Sequence, residues 1–198
     1  MSVDRAASRP RTASLPGAVD ERELISRISG RDVAAFEKLY RIYQPRLTRF
    51  LSNLVQRPQL VEEVLDDTMM VVWETAQSFR GTSRLSTWIF SIAYRKAIKA
   101  RARWPDPIED QPDLGQPSPD PNPHQLLQHR RLHDALAAAM QSLSADHRAV
   151  VDLTYFHGLG YREIAEVMDC PVDTVKTRMF HARRRLRQAM PGSVSDWV

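Results

Sequence analysis

The sequence predicts an all-α protein made of two small helical domains joined by a linker. Apolar residues recur at helical spacing on both sides of residues 105–124. That stretch holds seven prolines and five acids without a Lys or Arg, which favours an extended tether over regular structure. Residues 160–190 read as two helices around a proline-containing turn.

The amino-acid composition limits the classes of function that this protein can have. The 198 residues carry a formal net charge of +4, a modest bias toward anionic partners. A single cysteine excludes an internal disulfide and is typical of a reducing compartment, so we expect a cytoplasmic protein. No apolar run is long enough to cross a membrane. Residues 1–20 offer little to bury and are expected to form a disordered tail, with a second tail at 191–198.

The first domain, residues 21–104, opens with two predicted helices. The first places Leu24, Ile25 and Ile28 on one side, and Asp32 is the expected N-cap of the second. Pro45 falls inside the second helix and is expected to kink or split it. The apolar positions of that helix are Val33, Phe36, Leu39, Tyr40, Tyr43, Leu47, Phe50, Leu51 and Leu54.

A third helix, opened by Arg57-Pro58, is acidic from Leu60 to Ser78 and contains no basic residue. Its buried stripe is predicted to consist of Val61, Val64, Leu65, Thr68 and Val72, with Met69, Met70 and Trp73 partly outside it. The acids are Glu62, Glu63, Asp66, Asp67 and Glu74. They suit a solvated face or a docking surface with methionine and tryptophan anchors. Acid–base catalysis is disfavoured, since no histidine or nucleophile accompanies them.

Residues 79–104 are basic, in contrast to the acidic third helix that precedes them. The basic residues, unopposed by any acid, are Arg80, Arg84, Arg95, Lys96, Lys99, Arg101 and Arg103. The aromatic residues among them are Phe79, Trp88, Phe90, Tyr94 and Trp104. Cations for phosphates and flat rings for unstacked bases favour binding of single-stranded nucleic acid. For Trp88, as for Ile89 and Ile92, a place in the core is the simpler interpretation.

The second domain, residues 125–190, begins with a predicted helix from Gln125 to Met140. Its inward residues are Leu126, Leu127, Leu132, Leu136 and Met140. His129 and His133 have a spacing that could hold a metal, but no third ligand lies nearby, so we expect no metal site. The next helix starts at Leu143-Ser144-Ala145-Asp146.

The segment from Gly160 to Met190 predicts a helix-turn-helix. Ile164, Ala165 and Met168 face inward, Asp169-Cys170-Pro171 makes the turn with Cys170 as a small apolar filler, and Asp173 is the expected N-cap of the second helix. That helix buries Val172, Val175, Met179 and Leu186. Its other face carries Lys176, Arg178, His181, Arg183, Arg184, Arg185 and Arg187. Such a charge run is often only solvated, but six unopposed cations favour a DNA recognition helix.

This segment resembles region 4 of the extracytoplasmic-function sigma factors of the sigma-70 family. The resemblance is carried by Glu163-Ile164-Ala165, Pro171, Thr174-Val175-Lys176-Thr177-Arg178 and Ala182-Arg183. Asp173 stands where glycine is usual and Thr177 where serine is usual. The resemblance implies contacts with the −35 promoter element by Lys176, Thr177, Arg178, Phe180, His181 and Arg183.

Two further segments resemble region 2 of the same family. VEEVLDDTMMVVWE is similar to the part that holds the β′ clamp helices of RNA polymerase, with Asp66 in place of the usual glutamine. It implies core-binding roles for Glu63, Asp66, Asp67, Met70 and Trp73. FRGTSRLSTWIFSIAYRKAIKARAR resembles the part that melts the −10 element, where the Phe79–Ser83 loop would capture a flipped base. The implied single-strand contacts are Phe79, Arg80, Gly81, Ser83, Arg84, Arg95, Lys96 and Lys99. Arg95 and Lys99 depart from the usual residues, which leaves the −10 preference open.

The resemblance implies an alternative sigma factor that binds core RNA polymerase, with region 4 on the β flap, and recognises −35 and −10 promoter DNA. The resemblance implies a location in the cytoplasm at the nucleoid. An anti-sigma factor is an expected partner and could hold the protein at the inner membrane. No catalytic residue, cofactor or small-molecule substrate is expected. The acidic linker either threads toward the basic channels of the polymerase or serves as a tether. The alternative is a helix-turn-helix regulator acting on duplex DNA only, which would need neither the acidic nor the basic-aromatic helix.

Overall fold

A computed structural model describes residues 20–55, 57–104 and 135–189, and no strand occurs among them. The N-terminal domain consists of helices α1 to α4, which are Glu21–Ser29, Val33–Leu54, Pro58–Thr75 and Leu85–Arg103, with a 3₁₀ turn at Ala76–Ser78. In the C-terminal domain, helical residues 135–141 precede α5, α6 and α7, which are Ala145–Tyr155, Tyr161–Met168 and Val172–Ala189. The predicted all-α class is therefore confirmed. The predicted tails, the linker and the pair His129 and His133 lie outside the described residues.

The predicted cap at the start of α2 is confirmed. Asp32 accepts a hydrogen bond from the backbone N–H of Ala35 at 3.1 Å, and this bond lowers the pKa of the Asp32 carboxyl, with Arg27 acting in the same direction. Val33, which the sequence placed in the apolar face, is instead 67% exposed. As the first residue of the helix it precedes the stripe that packs against α1 and α3.

Pro45 does not split α2, which runs unbroken through its position. A proline inside a helix removes one backbone hydrogen bond, to the carbonyl four residues earlier. Here both Pro45 and Arg41 are exposed, so water can hydrate the carbonyl that loses its partner. Of the two expected outcomes, a kink or a split, the split does not occur, because packing of the buried face on either side of Pro45 holds the helix together.

Helix α3 begins with Pro58 in its first turn, as the sequence predicts, because the missing N–H costs nothing there. All five residues of its predicted stripe are buried. Met69 is also buried at 1% exposure, which corrects its assignment to the stripe's edge, whereas Met70 is 52% exposed. Helix α4 is buried along most of its length, and its Phe90 ring meets the Phe50 ring of α2 edge-on at 5.2 Å.

The two domains pack against each other through α2 with α5 and through α4 with α6, and they share one continuous apolar core. Asp152 of α5, fully buried, lies at the centre of this interface. It accepts a hydrogen bond from Asn53 Nδ2 of α2 at 2.8 Å and lies 3.6 Å from Arg49 Nε. His157 Nε2 is 3.0 Å from the other Asp152 oxygen, and the centroid of its tilted ring lies 4.4 Å from that of Phe90.

None of the helices in the described ranges is long and apolar enough to cross a membrane.

Candidate nucleic-acid and polymerase-binding sites

The helix-turn-helix is built by α6, α7 and the turn at Asp169-Cys170-Pro171. Asp169 takes a left-handed conformation with φ of 49°, which ends α6 and redirects the chain. The Glu163 carboxylate accepts a hydrogen bond from the Gly160 N–H at 2.9 Å and so secures the first turn of α6. Helix α7 begins at Val172, so Asp173 lies within the first turn rather than at the N-cap.

Helix α7 presents most of the predicted −35 residues to solvent. Its buried face consists of Val175, Met179 and Ala182, while Val172 and Leu186 are only partly buried. The exposed predicted residues are Lys176, Thr177, Phe180, His181 and Arg183. Phe180 is 64% exposed, and its ring meets the neighbouring His181 ring edge-on at 5.5 Å. Lys176 Nζ lies 2.9 Å from the Asp173 carboxylate, so this cation is matched by an acid on its own helix.

Arg178 differs from its neighbours on α7 because its guanidinium is held inside the protein. Its side chain is 25% exposed and forms an ion pair with Asp146 of α5, and it also approaches Cys170 Sγ at 3.7 Å. The Tyr94 hydroxyl of α4 donates to the same Asp146 carboxylate at 3.1 Å. Burial and the charge of Asp146 raise the pKa of the Tyr94 hydroxyl, which therefore remains a donor.

His147 of α5 lies beside the exposed face of α7. Its ring centroid is 6.3 Å from that of His181, and its Nδ1 lies 3.0 Å from Ser144 Oγ. Burial lowers the pKa of His147, and the nearby His181 acts in the same direction. The histidine is therefore mostly neutral at pH 7.

The Phe79–Ser83 loop projects from the start of α4. The Phe79 ring packs against Trp88 at 5.3 Å, and Gly81 has φ of 69°, a conformation that glycine adopts without strain. A groove beside the loop is lined by Glu21, Arg22, Phe79, Gly81, Thr82, Ser83, Arg84, Leu85, Glu163 and Glu166. The last two residues belong to α6, so the C-terminal domain forms one wall of this groove.

The basic residues of α4 differ in their exposure and in their pairing with acids. Arg95 and Lys99 are exposed, whereas Lys96 Nζ lies 2.9 Å from the carboxylate of Asp67 on α3. Phe90 is fully buried and Tyr94 is 8% exposed, so neither ring can stack on a base. The sequence pattern alone predicted both rings as candidates for stacking on unpaired bases. That prediction is wrong, because both residues belong to the core.

The acidic face of α3 exposes Glu63, Asp67 and Met70. Asp66 is also exposed, but its carboxylate accepts a hydrogen bond from the Tyr40 hydroxyl at 3.2 Å. Trp73 is half-buried, 5.1 Å from the Phe36 ring and beneath the guanidinium of Arg31. Within 20–55, 57–104 and 135–189, no group of three or more His, Cys, Asp or Glu residues could hold a metal ion.

Sequence reasoning missed Asp146 and Glu163 as partners of the predicted nucleic-acid residues. Glu163 Oε1 lies 3.7 Å from Arg84 Nη1 and accepts a hydrogen bond from Thr87 at 3.2 Å. Both acids were visible only as local features, one in a first helical turn and one in the helix-turn-helix motif. No sequence signal indicates that α6 packs on α4.

Comparison with known families identifies both domains. The family described as "Sigma-70 region 2" matches residues 39–104, and "Sigma-70, region 4" matches residues 133–186. Together they define the class of protein as a sigma-70 factor, with both of its DNA-recognition regions.

Similar proteins narrow this class. The ECF RNA polymerase sigma-E factor of Escherichia coli K12 is 31% identical over 176 residues, which span 84% of this chain and 92% of the relative. The sigma-E factor of Haemophilus influenzae is 30% identical over 177 residues, or 84% and 93% of the two chains. The chain belongs to the extracytoplasmic-function sigma factors and is an alternative sigma factor that directs promoter-specific transcription initiation by RNA polymerase.

Two solved structures are similar in fold. The sigma factor RpoE of Bartonella quintana, determined in complex with the anti-sigma factor NepR, has a TM-score of 0.56 at 26% identity and covers 78% of this chain and 95% of its own. CnrH, determined in complex with the cytosolic domain of CnrY, has a TM-score of 0.60 at 21% identity, with coverage of 85% and 95%.

Proposed function

We propose that this sigma factor reads the −35 element as duplex DNA with the exposed face of α7. The observation that supports this most directly is the row of solvent-facing Lys176, Thr177, Phe180, His181 and Arg183 on the second helix of a helix-turn-helix. A helix of this kind enters the major groove, where side chains reach base edges. Arg178 joins them once its ion pair with Asp146 is broken.

The −10 element is bound as a single strand by the N-terminal domain. The Phe79–Ser83 loop supplies a turn and a groove for a flipped base, and the exposed cations of α4 supply phosphate contacts. The assigned contacts in the loop and at its base are Phe79, Arg80, Gly81, Ser83 and Arg84, and those along α4 are Arg95, Lys96 and Lys99.

Core polymerase docks on α3. Glu63, Asp66 and Asp67 form its charged part and meet the basic clamp helices of β′, while Met70 and the half-buried Trp73 supply apolar contact. Region 4 meets the β flap. The sigma factor contributes no catalytic residue of its own, because the polymerase performs the chemistry.

An anti-sigma factor is the proposed regulatory partner. The Bartonella sigma factor of similar fold was determined with such a protein bound, and its 26% identity supports a similar arrangement here. A sigma factor held in this way would be cytoplasmic and away from the nucleoid, for example at the inner membrane, until the anti-sigma factor releases it.

The test is promoter melting, since a regulator of duplex DNA has no need of unpaired bases. Replacing Phe79, Arg80 and Gly81 together by alanine should reduce promoter opening more than closed-complex binding. Permanganate reactivity of promoter thymines measures opening, and holoenzyme should prefer the non-template −10 strand to its complement. If opening persists while duplex binding falls, the loop is not the base-capturing element.

A further inference from the structure

The turn between α1 and α2, residues 30–32, holds a residue in a backbone conformation that its side chain disfavours. Arg31 has φ of 65°, in the left-handed region, where a Cβ atom crowds the backbone and glycine is the usual occupant. Gly30, immediately before it, has an ordinary φ of −83°. The glycine of this turn is therefore not at the position that needs one, and the strained position carries an arginine.

The shape of this turn does not depend on the arginine side chain. Two backbone hydrogen bonds close it, one from the Arg31 N–H to the Ile28 carbonyl at 2.9 Å and one from the Asp32 N–H to the Arg27 carbonyl at 3.2 Å. A glycine at position 31 would keep both bonds without strain. The reason for an arginine here must therefore lie in what its side chain contacts.

The Arg31 side chain reaches α3 and contacts Trp73 in two ways. Its guanidinium carbon lies 5.4 Å from the centroid of the indole ring, within the range of a cation–π interaction. Its Nη1 donates to the Trp73 carbonyl oxygen at 3.4 Å, in the last turn of α3, where a positive charge is favourable. One side chain thus binds both the ring and the backbone of the same residue.

The Trp73 ring is contacted by α2 as well as by the turn. The Phe36 ring of α2 lies 5.1 Å from it at an interplanar angle of 59°. Trp73 is half-buried, and Met70, one helical turn earlier on α3, is 52% exposed. Without the guanidinium, the partly exposed indole would gain conformational freedom, which binding to the polymerase would then have to remove.

The charge of Arg31 predicts the opposite effect on polymerase binding. Arg31 is a cation next to a face whose proposed docking residues Glu63, Asp66 and Asp67 are acids, and the proposed partner is basic. If only charge mattered, removing Arg31 would strengthen docking, because one repulsion would be lost. If Arg31 orients Trp73, removing it weakens docking. The two explanations therefore differ in the sign of the change.

We propose that Arg31 is a positioning residue for polymerase binding: its guanidinium fixes the Trp73 indole in the orientation that the β′ subunit meets. The strained backbone of the α1–α2 turn is the consequence of placing an arginine at that position. This inference rests on the proposed docking of core polymerase on α3, and it adds a residue from outside that helix.

The first test separates the side chain from the backbone strain with two variants of the full-length chain. Arg31→Ala removes the guanidinium and keeps the strained φ, whereas Arg31→Gly removes the guanidinium and relieves the strain. The glycine variant should unfold about 2–4 °C above the alanine variant in a thermal melt. Both should bind core polymerase about three- to tenfold more weakly than the unmodified chain, and by the same factor.

Lys38→Ala is the matched control, because it removes an exposed cation of α2 that has no proposed contact with the polymerase. This variant should bind core polymerase at least as tightly as the unmodified chain. Unchanged or tighter binding by both Arg31 variants would overturn the positioning role. Weaker binding by the alanine variant that the glycine variant restores would also overturn it, because affinity would then follow stability.

The second test asks whether Arg31 acts through Trp73. In a chain that already carries Trp73→Ala, replacing Arg31 by alanine should change core affinity by less than about twofold, since no indole remains to be positioned. A further loss of about three- to tenfold would overturn the inference, because Arg31 would then act independently of Trp73.

Two single variants distinguish failure of this inference from failure of the proposed docking surface. If Trp73→Ala binds core polymerase normally while Glu63→Lys binds weakly, α3 remains the docking surface and only the role of Arg31 is overturned. If both variants bind normally, the docking surface itself is rejected, and the inference with it.

Discussion

At the scale of single residues, Arg178 is the side chain whose two environments differ most. It is held by Asp146 in the packed chain and is proposed to meet a base edge in the promoter complex. Holoenzyme carrying Arg178→Ala should lose ~1–3 kcal/mol of binding to a −35 duplex and discriminate less at one base pair. Competition binding against duplexes with single-base changes measures both effects.

Arg185 is the control for this prediction, because it is exposed and has no proposed base contact. Arg185→Ala should weaken all duplexes alike and reduce the salt dependence of binding, as expected for a residue that meets phosphate only. Indistinguishable behaviour of the two variants would count against Arg178 as a reader of sequence.

Asp173 is an acid on α7 itself and lies beside the proposed −35 contact Lys176. Its side chain is 89% exposed in the first turn and pairs with Lys176. A carboxylate there repels phosphate but can accept a hydrogen bond from the amino group of cytosine. Asp173→Asn should raise affinity for most duplexes, because it frees Lys176, and lower discrimination at one base pair by ~1–3 kcal/mol. A uniform gain across all sequences in the same competition assay would show that Asp173 reads no base.

Helical periodicity was sufficient to predict which residues of α7 face solvent, since Val175 and Met179 define the buried side and the other positions follow. It could not predict that Arg178 is paired. Asp146 is distant in sequence, and the ion pair depends on how α5 crosses α7. Asp173 was predicted as the cap but lies inside the helix. Helix α7 starts at Val172, and the Pro171 carbonyl accepts hydrogen bonds from the N–H groups of Thr174 and Val175.

At the scale of helices, Pro45 is a test of how strongly packing holds α2. Its exposed position means that alanine can enter without a clash, restoring a hydrogen bond to the Arg41 carbonyl. Pro45→Ala should therefore stabilise the protein by roughly 1–2 kcal/mol, less than the full helix-propensity difference because the unfolded chain also gains freedom. Urea unfolding monitored by circular dichroism measures the change. A destabilised variant would indicate that Pro45 has a contact role.

The proposed docking of core polymerase on the acidic face of α3 leads to a prediction about charge reversal. Glu63→Lys and Asp67→Lys should each weaken core binding about tenfold through charge repulsion at the clamp helices. Asp67 also pairs with Lys96, so Glu63→Lys is the cleaner variant. Glu37→Lys, exposed on α2 and outside the proposed docking face, is the control. Equal affinities for all three chains in a fluorescence-anisotropy titration with core enzyme would reject α3 as the docking surface.

The pattern of helices was predictable because each has an apolar stripe of its own, and α1, α2 and α5 also begin at a side-chain N-cap. Aromatic residues were the exception. Phe90 and Tyr94 alternate with cations along the sequence and so resemble a base-stacking surface, yet a helix turns them toward the core formed with α2 and α6. Composition alone cannot distinguish an aromatic ring that stacks on a base from one that packs in the core, since both have apolar and basic neighbours in the sequence.

At the scale of the whole molecule, stability depends on one buried carboxylate shared by both domains. Asp152 meets Asn53, Arg49 and His157, so Asp152→Ala removes this partner from the buried His157 side chain and from the part-buried Asn53. We expect a loss of about 3–5 kcal/mol in unfolding free energy, and a smaller loss for Asp152→Asn, which keeps an acceptor for Asn53. Urea unfolding compares the variants. A change below ~1 kcal/mol in the alanine variant would show that the interface is not a major source of stability.

The two helical domains were predictable from the sequence because apolar residues recur at helical spacing on both sides of the proline-rich segment. Their mutual packing was not, since the residues that make it, such as Asn53 and Asp152, belong to helices whose local signals are fully explained within their own domain. Interfaces between domains depend on matched surfaces rather than on periodicity.

The core shared by α2, α4, α5 and α6 also bears on the lifetime of the protein in the cell. Parting the domains would uncover the apolar surroundings of His157, and exposed apolar surface is what proteases and chaperones recognise in partly unfolded chains. Polymerase or an anti-sigma factor would shelter an opened chain. Degradation would then remove the molecules that open without finding either, so that the supply of free polymerase sets how long each activated copy survives.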